Sequence, residues 1–401
     1  MTGFSTRAIR ASTRAPRLDQ QPTSVPIYQT ATFTADDADE LDAVLTGAQP
    51  GYAYSRIDNP TTTALADAIA ELEGAEAAHV FATGMAAIHA TLVSLAGSGD
   101  RIVATTAVYG STRSLLVNVL GPLGIRTDFV DATDHDAVAA ALAAGPVRIL
   151  YAETLSNPTM VVADHAALAG LAHRSGAAYV VDNTFASPYV CRPIELGADL
   201  VVESATKYIG GHSDVMAGTV AGRAALIAEI HRVQVDTGAA LAPLAAFLVL
   251  RGLATLGVRL DRHAATSAAL AGWLERQDGV RQVRHPLLAS HPGSDIVERQ
   301  FHGGSGMFAF ELDGGRAAAR AFLDALAIPA RTASLGSVHT IIVHPPSTTH
   351  RPLDDTELAE AGIGPGLLRC SIGLEDLDDL LADFATGLEA ARGATPAPAT
   401  A

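Results

Sequence analysis

Asp199-Leu200-Val201-Val202-Glu203-Ser204-Ala205-Thr206-Lys207-Tyr208-Ile209-Gly210-Gly211-His212-Ser213-Asp214 is the stretch around which the 401-residue chain is organised. Leu200-Val201-Val202 is a short apolar run of the kind that forms a strand buried on both faces in a parallel sheet. Two hydroxyls and an amine follow it at Ser204, Thr206 and Lys207. In an open α/β sheet those positions lie at the carboxyl end of a strand, where ligands bind. Lys207 is the one lysine among 27 lysines and arginines. A solitary lysine without context reads as a surface residue left over by a bias towards arginine. Its place behind a buried strand reverses that reading, because a lysine amine can act as a base or condense with a carbonyl and a guanidinium cannot.

Along the rest of the chain, apolar runs alternate with helical segments, the mark of a parallel sheet covered on both faces. Strands are expected at Ala78–Ala82, Arg101–Thr105, Ile125–Val130, Val147–Tyr151, Ala178–Val181, Asp199–Val202 and Met216–Val220, with helices between them such as Gly84–Leu95 and Asp164–His173. A long helical stretch runs from Arg223 to Arg276. Strands then restart near Val280–Val283, Met307–Leu312 and Thr340–Val343. These patterns predict an α/β protein with four parts: an extended N-terminal arm over 1–54, a large α/β domain over 55–254, a smaller α+β domain over 255–393, and a disordered Ala/Pro/Thr tail over 394–401. No internal repeat is visible.

Composition narrows the function. The chain is 48% hydrophobic and 17% charged, hence globular. A formal net charge of −16 argues against a nucleic-acid or anionic-membrane partner. Cys191 and Cys370 sit far apart and read as small buried residues of a reduced, cytoplasmic protein. No secretory signal is read at the N-terminus, and the run Leu241–Leu250, broken by Pro243, is too short to span a bilayer. His339, His344 and His350 lack a helical metal-ligand spacing, so no metal site is expected.

The strand Ala178–Val181 ends in Asp182, a carboxylate that can meet Lys207 at neighbouring strand ends. Pyridoxal phosphate sites need this combination: a lysine for the Schiff base and an acid that keeps the ring nitrogen protonated. Strand-end aspartates also cap helices, so Asp182 carries weight only as Lys207's partner. Thr83-Gly84-Met85 opens a helix whose first N–H groups would face an anion, although a tight turn needing glycine is the plain alternative. Ser204 and Thr206 add hydroxyls, and Arg56 a bidentate charge, in a loop with Tyr54 that reads equally as a solvated turn. Tyr109 offers an aromatic face. Arg369 is suited to gripping an α-carboxylate, or else pairs on the surface with Glu375.

These residues resemble the cystathionine γ-synthase-like pyridoxal phosphate enzymes of cysteine and methionine metabolism. The matching segments include Val25-Pro26-Ile27-Tyr28-Gln29-Thr30, Tyr54-Ser55-Arg56-Ile57-Asp58-Asn59-Pro60-Thr61, Glu153-Thr154-Leu155-Ser156-Asn157-Pro158, Ser204-Ala205-Thr206-Lys207-Tyr208, Ser334-Leu335-Gly336 and Arg369-Cys370-Ser371-Ile372-Gly373-Leu374-Glu375-Asp376. The resemblance implies a fold-type I enzyme, usually a homotetramer built from dimers that share active sites. It implies that Lys207 forms the Schiff base, Asp182 pairs with the ring nitrogen and Tyr109 stacks on the ring and acts as an acid. Gly84, Met85, Ser204 and Thr206 would bind the phosphate, with Tyr54 and Arg56 reaching in from a neighbouring subunit. Asn157, Ser334 and Arg369 would hold an amino-acid substrate, with Asn157 also near the ring hydroxyl.

Among activities of the family, Thr30-Ala31-Thr32-Phe33-Thr34 and Thr237-Gly238-Ala239 are most similar to methionine γ-lyases. Ala333 supports an apolar substrate tail. Ser111, where many methionine γ-lyases carry cysteine, counts the other way. His344-Pro345-Pro346-Ser347-Thr348-Thr349-His350 is similar to homoserine-ester sulfhydrylases. The expectation is a γ-elimination lyase for L-methionine or a related sulfur amino acid. The alternatives are γ-replacement by a cystathionine γ-synthase or an O-acyl-homoserine sulfhydrylase, a cystathionine γ-lyase, and a non-catalytic cofactor-binding protein on the same fold.

Overall fold

A computed structural model describes residues 3–14, 22–351 and 354–394. The tail expected over 394–401 lies, apart from Ala394, outside the described residues. Seven strands form the larger sheet: β1 (Ala77–Phe81), β2 (Arg101–Thr105), β3 (Arg126–Val130), β4 (Ile149–Glu153), β5 (Ala178–Asp182), β6 (Leu200–Glu203) and β7 (Gly218–Gly222). Their spatial order is β1-β7-β6-β5-β4-β2-β3. Neighbours from β3 to β6 pair in parallel, and β7 runs antiparallel to both β6 and β1. Six of the seven strands therefore point the same way. Leu200, Val201 and Val202 are essentially solvent-free, as expected for an apolar run covered on both faces.

Register matters more for the site than strand count. Glu153 is paired with Asp182, and Asp182 with Val202, so β4, β5 and β6 end level with one another. Helix starts are fixed locally. Asn59 caps the Pro60–Glu73 helix, with proline at its first turn, and the Thr83 hydroxyl caps the Gly84–Leu95 helix by accepting from the Ala86 N–H.

A second, antiparallel sheet orders as β10-β11-β9-β8, with β8 (Val280–Arg284), β9 (Met307–Leu312), β10 (Ile341–Val343) and β11 (Leu367–Ser371). The strand β11 was not expected from sequence. It shows a period of two: Leu368 and Cys370 join the Phe308, Phe310, Phe322 and Phe384 core, while Arg369 hydrogen-bonds outside that core.

One expectation is corrected. The first residues are not simply an extended arm: Phe4–Ser12 and Ala38–Leu45 are helices. Phe4, Ala8 and Ala11 recur at helical spacing, and Ala8 and Ala11 are buried in the core that holds Leu65, Ile69 and Leu256. Phe4 meets the edge of Tyr189 at 4.9 Å between ring centroids. Both cysteines are buried and unpaired in disulfides. Among the described residues no single helix is long and apolar enough to cross a membrane.

Candidate active site

At the carboxyl ends of the large sheet lies a cavity of about 360 Å³. Lys207, Asp182, Tyr109, Gly84, Met85, Asn157, Ser204, Thr206, Ser334 and Arg369 all line it. The turn after β6 is tight: the Lys207 N–H donates to Ser204 O at 3.0 Å and the Gly211 N–H to Lys207 O at 2.7 Å. Gly84 sits directly against this turn, where a Cβ would come within 2.8 Å of Ser204 Cβ. Only glycine allows that approach. The amides of Gly84 and Met85 open a helix, and the first N–H groups of a helix have no intrahelical partner.

Asp182 ends β5, accepting from the Thr184 N–H at 3.0 Å and more weakly from the Tyr151 hydroxyl at 3.3 Å. The Thr184 hydroxyl accepts from the Ser204 N–H at 2.8 Å, which ties the ends of β5 and β6 together. Thr206 lines the cavity, but its hydroxyl donates to Ala217 O at 3.2 Å and accepts from the Ala217 N–H at 3.0 Å.

The opposite wall comes from residues around the small sheet. Arg369 Nη1 donates to Asn157 Oδ1 at 2.9 Å and Nη2 to Ser334 O at 2.8 Å. Its Nε is buried without a hydrogen-bond partner. Lys207 Nζ donates to Ser334 Oγ at 2.9 Å. Ser334 has φ 141°, a conformation that costs a non-glycine residue about 1–3 kcal/mol and clusters at functional sites. Gly336, at φ 74°, lies so close to the lysine turn that a Cβ would meet Tyr208 N at 2.6 Å. The expected alternative pairing of Arg369 with Glu375 does not form; Glu375 accepts from the Thr340 N–H and hydroxyl.

Burial, followed by the charge of Arg369, pulls the Lys207 amine down to about 8. Burial raises Asp182. It raises Glu153 well above the usual carboxylate range, with Asp182 adding to the effect. Among the described residues no basic side chain forms an ion pair with either acid. A cation set beside Asp182 would reverse its shift. The free Arg369 Nε, the Gly84 approach and the unpaired acid together fit pyridoxal phosphate with an amino-acid substrate: an anion at the helix start, a protonated ring nitrogen at Asp182 and a carboxylate at Arg369.

Tyr54 and Arg56 do not join this cavity. Tyr54 is exposed, and Arg56 stacks on it at 5.5 Å while donating to Val235 O. Ser111 is exposed and also lies off the cavity. His339 and His344 meet neighbouring serines at 2.9 and 2.8 Å, and His350 the Thr349 hydroxyl at 2.9 Å, which are loop roles. Sequence reasoning missed Glu153 as a site residue. Its two oxygens accept from the Tyr109 and Asn157 N–H groups, so one carboxylate sets the backbone of two cavity residues. A strand-end carboxylate in register with Asp182 was the available signal.

The model of the family described as Cys/Met metabolism PLP-dependent enzyme matches residues 5–389. The chain is 43% identical over 392 residues to the L-methionine gamma-lyase of Pseudomonas putida, covering 97% of this chain and 98% of that one. It is 41% identical over 387 residues to the O-succinylhomoserine sulfhydrylase of Pseudomonas aeruginosa, covering 96% and 95%. The crystal structure of cystathionine gamma synthase from Xanthomonas oryzae pv. oryzae in complex with aminoacrylate and cysteine superposes with a TM-score of 0.93 at 37% identity, covering 98% of this chain and 100% of that one. A family match over nearly the whole length, on a sheet that brings the solitary lysine to a buried acid, means that this chain belongs to the pyridoxal-phosphate-dependent enzymes of cysteine and methionine metabolism.

Proposed function

We propose that this chain is a γ-elimination lyase that converts L-methionine or a related sulfur amino acid to 2-oxobutyrate, ammonia and a thiol. The observation that carries this reading is the charge layout of the cavity. Among the residues lining it, Arg369 is the one cation besides Lys207, and Leu155, Met216, Ala333 and Leu335 supply apolar surface. That suits a substrate with a single carboxylate and an uncharged tail. A substrate with a second carboxylate would need a cation that this lining lacks.

Bound pyridoxal phosphate supplies an electron sink in conjugation with the substrate amino group. The Gly84 and Met85 amides and the Ser204 hydroxyl would hold its phosphate, with Thr206 joining if its hydroxyl turned from Ala217. The Asp182 carboxylate would accept from its ring N–H, and Tyr109 would cover the ring. Arg369 grips the α-carboxylate, while Asn157 and Ser334 fix its angle. The Lys207 amine, once free, takes the Cα proton; its lowered pKa makes the neutral form accessible near pH 8. A Cβ proton must leave as well; Lys207, the one amine lining the cavity, would take it after passing the Cα proton to the electron sink, and the Tyr109 hydroxyl would protonate the departing thiolate. In this reading Tyr54 and Arg56 serve the phosphate of a neighbouring subunit in a homotetramer built from dimers, which fits their place outside their own cavity. A boundary between the two larger parts of the chain near 255 is supported by the 60° bend between the Pro243–Leu253 and Leu256–Leu274 helices.

γ-Replacement on an uncharged homoserine ester is the second reading. It is favoured by Thr349, from the segment similar to sulfhydrylases, which lines the cavity. Product analysis separates the two. The cofactor-loaded protein is given L-methionine, L-cystathionine or O-acetyl-homoserine, each with and without added thiol. Release of 2-oxobutyrate and methanethiol from methionine alone is the expected result. Thioether formed only from ester plus thiol would replace the lyase reading with a synthase.

A further inference from the structure

Away from the Lys207 cavity, three chain segments bring metal-binding side chains together. Asp58 lies two residues after Arg56, His79 is on β1 and His231 is on the Ala224–Thr237 helix. One ligand atom from each lies within 4.8 Å of the other two. His231 Nε2 is 3.6 Å from Asp58 Oδ2. The two imidazoles stack with centroids 4.4 Å apart and planes tilted by 38°. None of the three lines the cavity, and each is partly exposed, which leaves the group open to an ion from solvent.

The arrangement is short of positive charge. Two stacked imidazoles repel when both are protonated, so the pair favours neutral rings that can ligate. Both Nε2 atoms also face oxygen: His79 meets Gln234 Oε1 at 3.3 Å and His231 meets Ile57 O at 3.1 Å. A divalent cation seated here would bind the lone pair of one nitrogen on each neutral ring, the ring proton moving to the other nitrogen, and would meet nitrogen and oxygen together. Two imidazoles and a carboxylate are a donor set for zinc, with water completing a tetrahedron, and closing to tetrahedral spacing needs side-chain shifts of about 1 Å.

We propose that Asp58, His79 and His231 form a site for a zinc-like divalent transition metal that pins the loop carrying Tyr54 and Arg56 to β1 and the Ala224–Thr237 helix. The loop already touches that helix, since Gln234 Nε2 donates to Arg56 O at 3.2 Å. The site stands whichever reaction the enzyme performs.

Zinc is titrated into chelator-stripped, cofactor-loaded protein against a chromophoric competitor, because the chain's 14 histidines provide weak background binding. One tight equivalent per chain is expected in the wild type, with a rise in Tm, and both are lost in the H79Q/H231Q double variant. The milder Asp58→Asn weakens binding by at least roughly tenfold, the size of effect seen even when partners of a ligand are removed. Cofactor absorbance verifies that each variant is folded, and D58N decides if the double variant is not. No tight equivalent in the wild type, or equal zinc affinity in wild type and D58N, overturns the site.

Discussion

The two walls of the Lys207 cavity are built on different principles. On the large-sheet side, Lys207, Asp182 and Ser204 follow strands whose ladder register puts their ends level, so regular backbone pairing sets the positions. On the small-sheet side, Ser334 sits in an irregular segment at φ 141°, held by Arg369 and Lys207. Arg369 is itself buried, and two of its guanidinium nitrogens are engaged across the cavity. A ladder shares the load over many bonds, so the wall proposed to carry the chemistry tolerates the loss of any one. The wall proposed to grip the substrate depends on a few hydrogen bonds, each to a charged or strained group.

Replacing Lys207 with alanine removes the one group on the regular wall that no other residue can replace. Turnover is expected to fall by at least about 10³-fold, together with the visible absorption of bound cofactor, read by spectrophotometry. A retained band would show that the cofactor is not attached at Lys207. Arg369→Ala tests the other wall. Loss of charged hydrogen bonds worth about 1.5–3 kcal/mol each should lower kcat/KM roughly 10- to 100-fold, mainly through KM, while the cofactor band stays. If KM is unchanged, Arg369 does not hold the carboxylate. Arg369→Lys should recover little, because an ammonium lacks the fork.

A smaller effect is expected at Ser334→Ala. Losing one hydrogen bond worth about 0.5–1.5 kcal/mol should cost roughly 2- to 10-fold in kcat/KM. Ser334→Gly should lose the same bond yet gain stability, since glycine accepts the backbone angle without strain. A lower Tm for glycine than for alanine would contradict the strain.

A change in pH dependence and not in turnover is expected at Glu73, which lies wholly buried beneath the regular wall against Glu203 and keeps its proton up to about 8, chiefly through burial. In the unfolded chain it ionises near 4.5. Its contribution to stability is therefore complete below pH 4.5 and is lost as pH rises towards 8. Glu73→Gln, which stays neutral, should flatten the Tm profile across that window by a few degrees, and an unchanged slope would assign the pH dependence elsewhere.

What the sequence determined by itself is local. Alternating apolar runs placed the seven strands of the large sheet, and the uniqueness of Lys207 marked the candidate site. Asp182, Gly84 and Arg369 were singled out because strand ends, helix starts and isolated arginines have recognisable chemistry, and all three line the cavity. The tertiary structure decided the rest, because it depends on residues far apart in the chain. Arg369 and Asn157 are 212 positions apart, and nothing local announces their bond. Glu153 gained its role from register with Asp182. The Phe4–Ser12 helix needed a core to lie on, since nine residues are too few to hold a helix in water alone. Asp58, His79 and His231 have no spacing that signals a ligand set; they meet only because a loop, an edge strand and a helix converge.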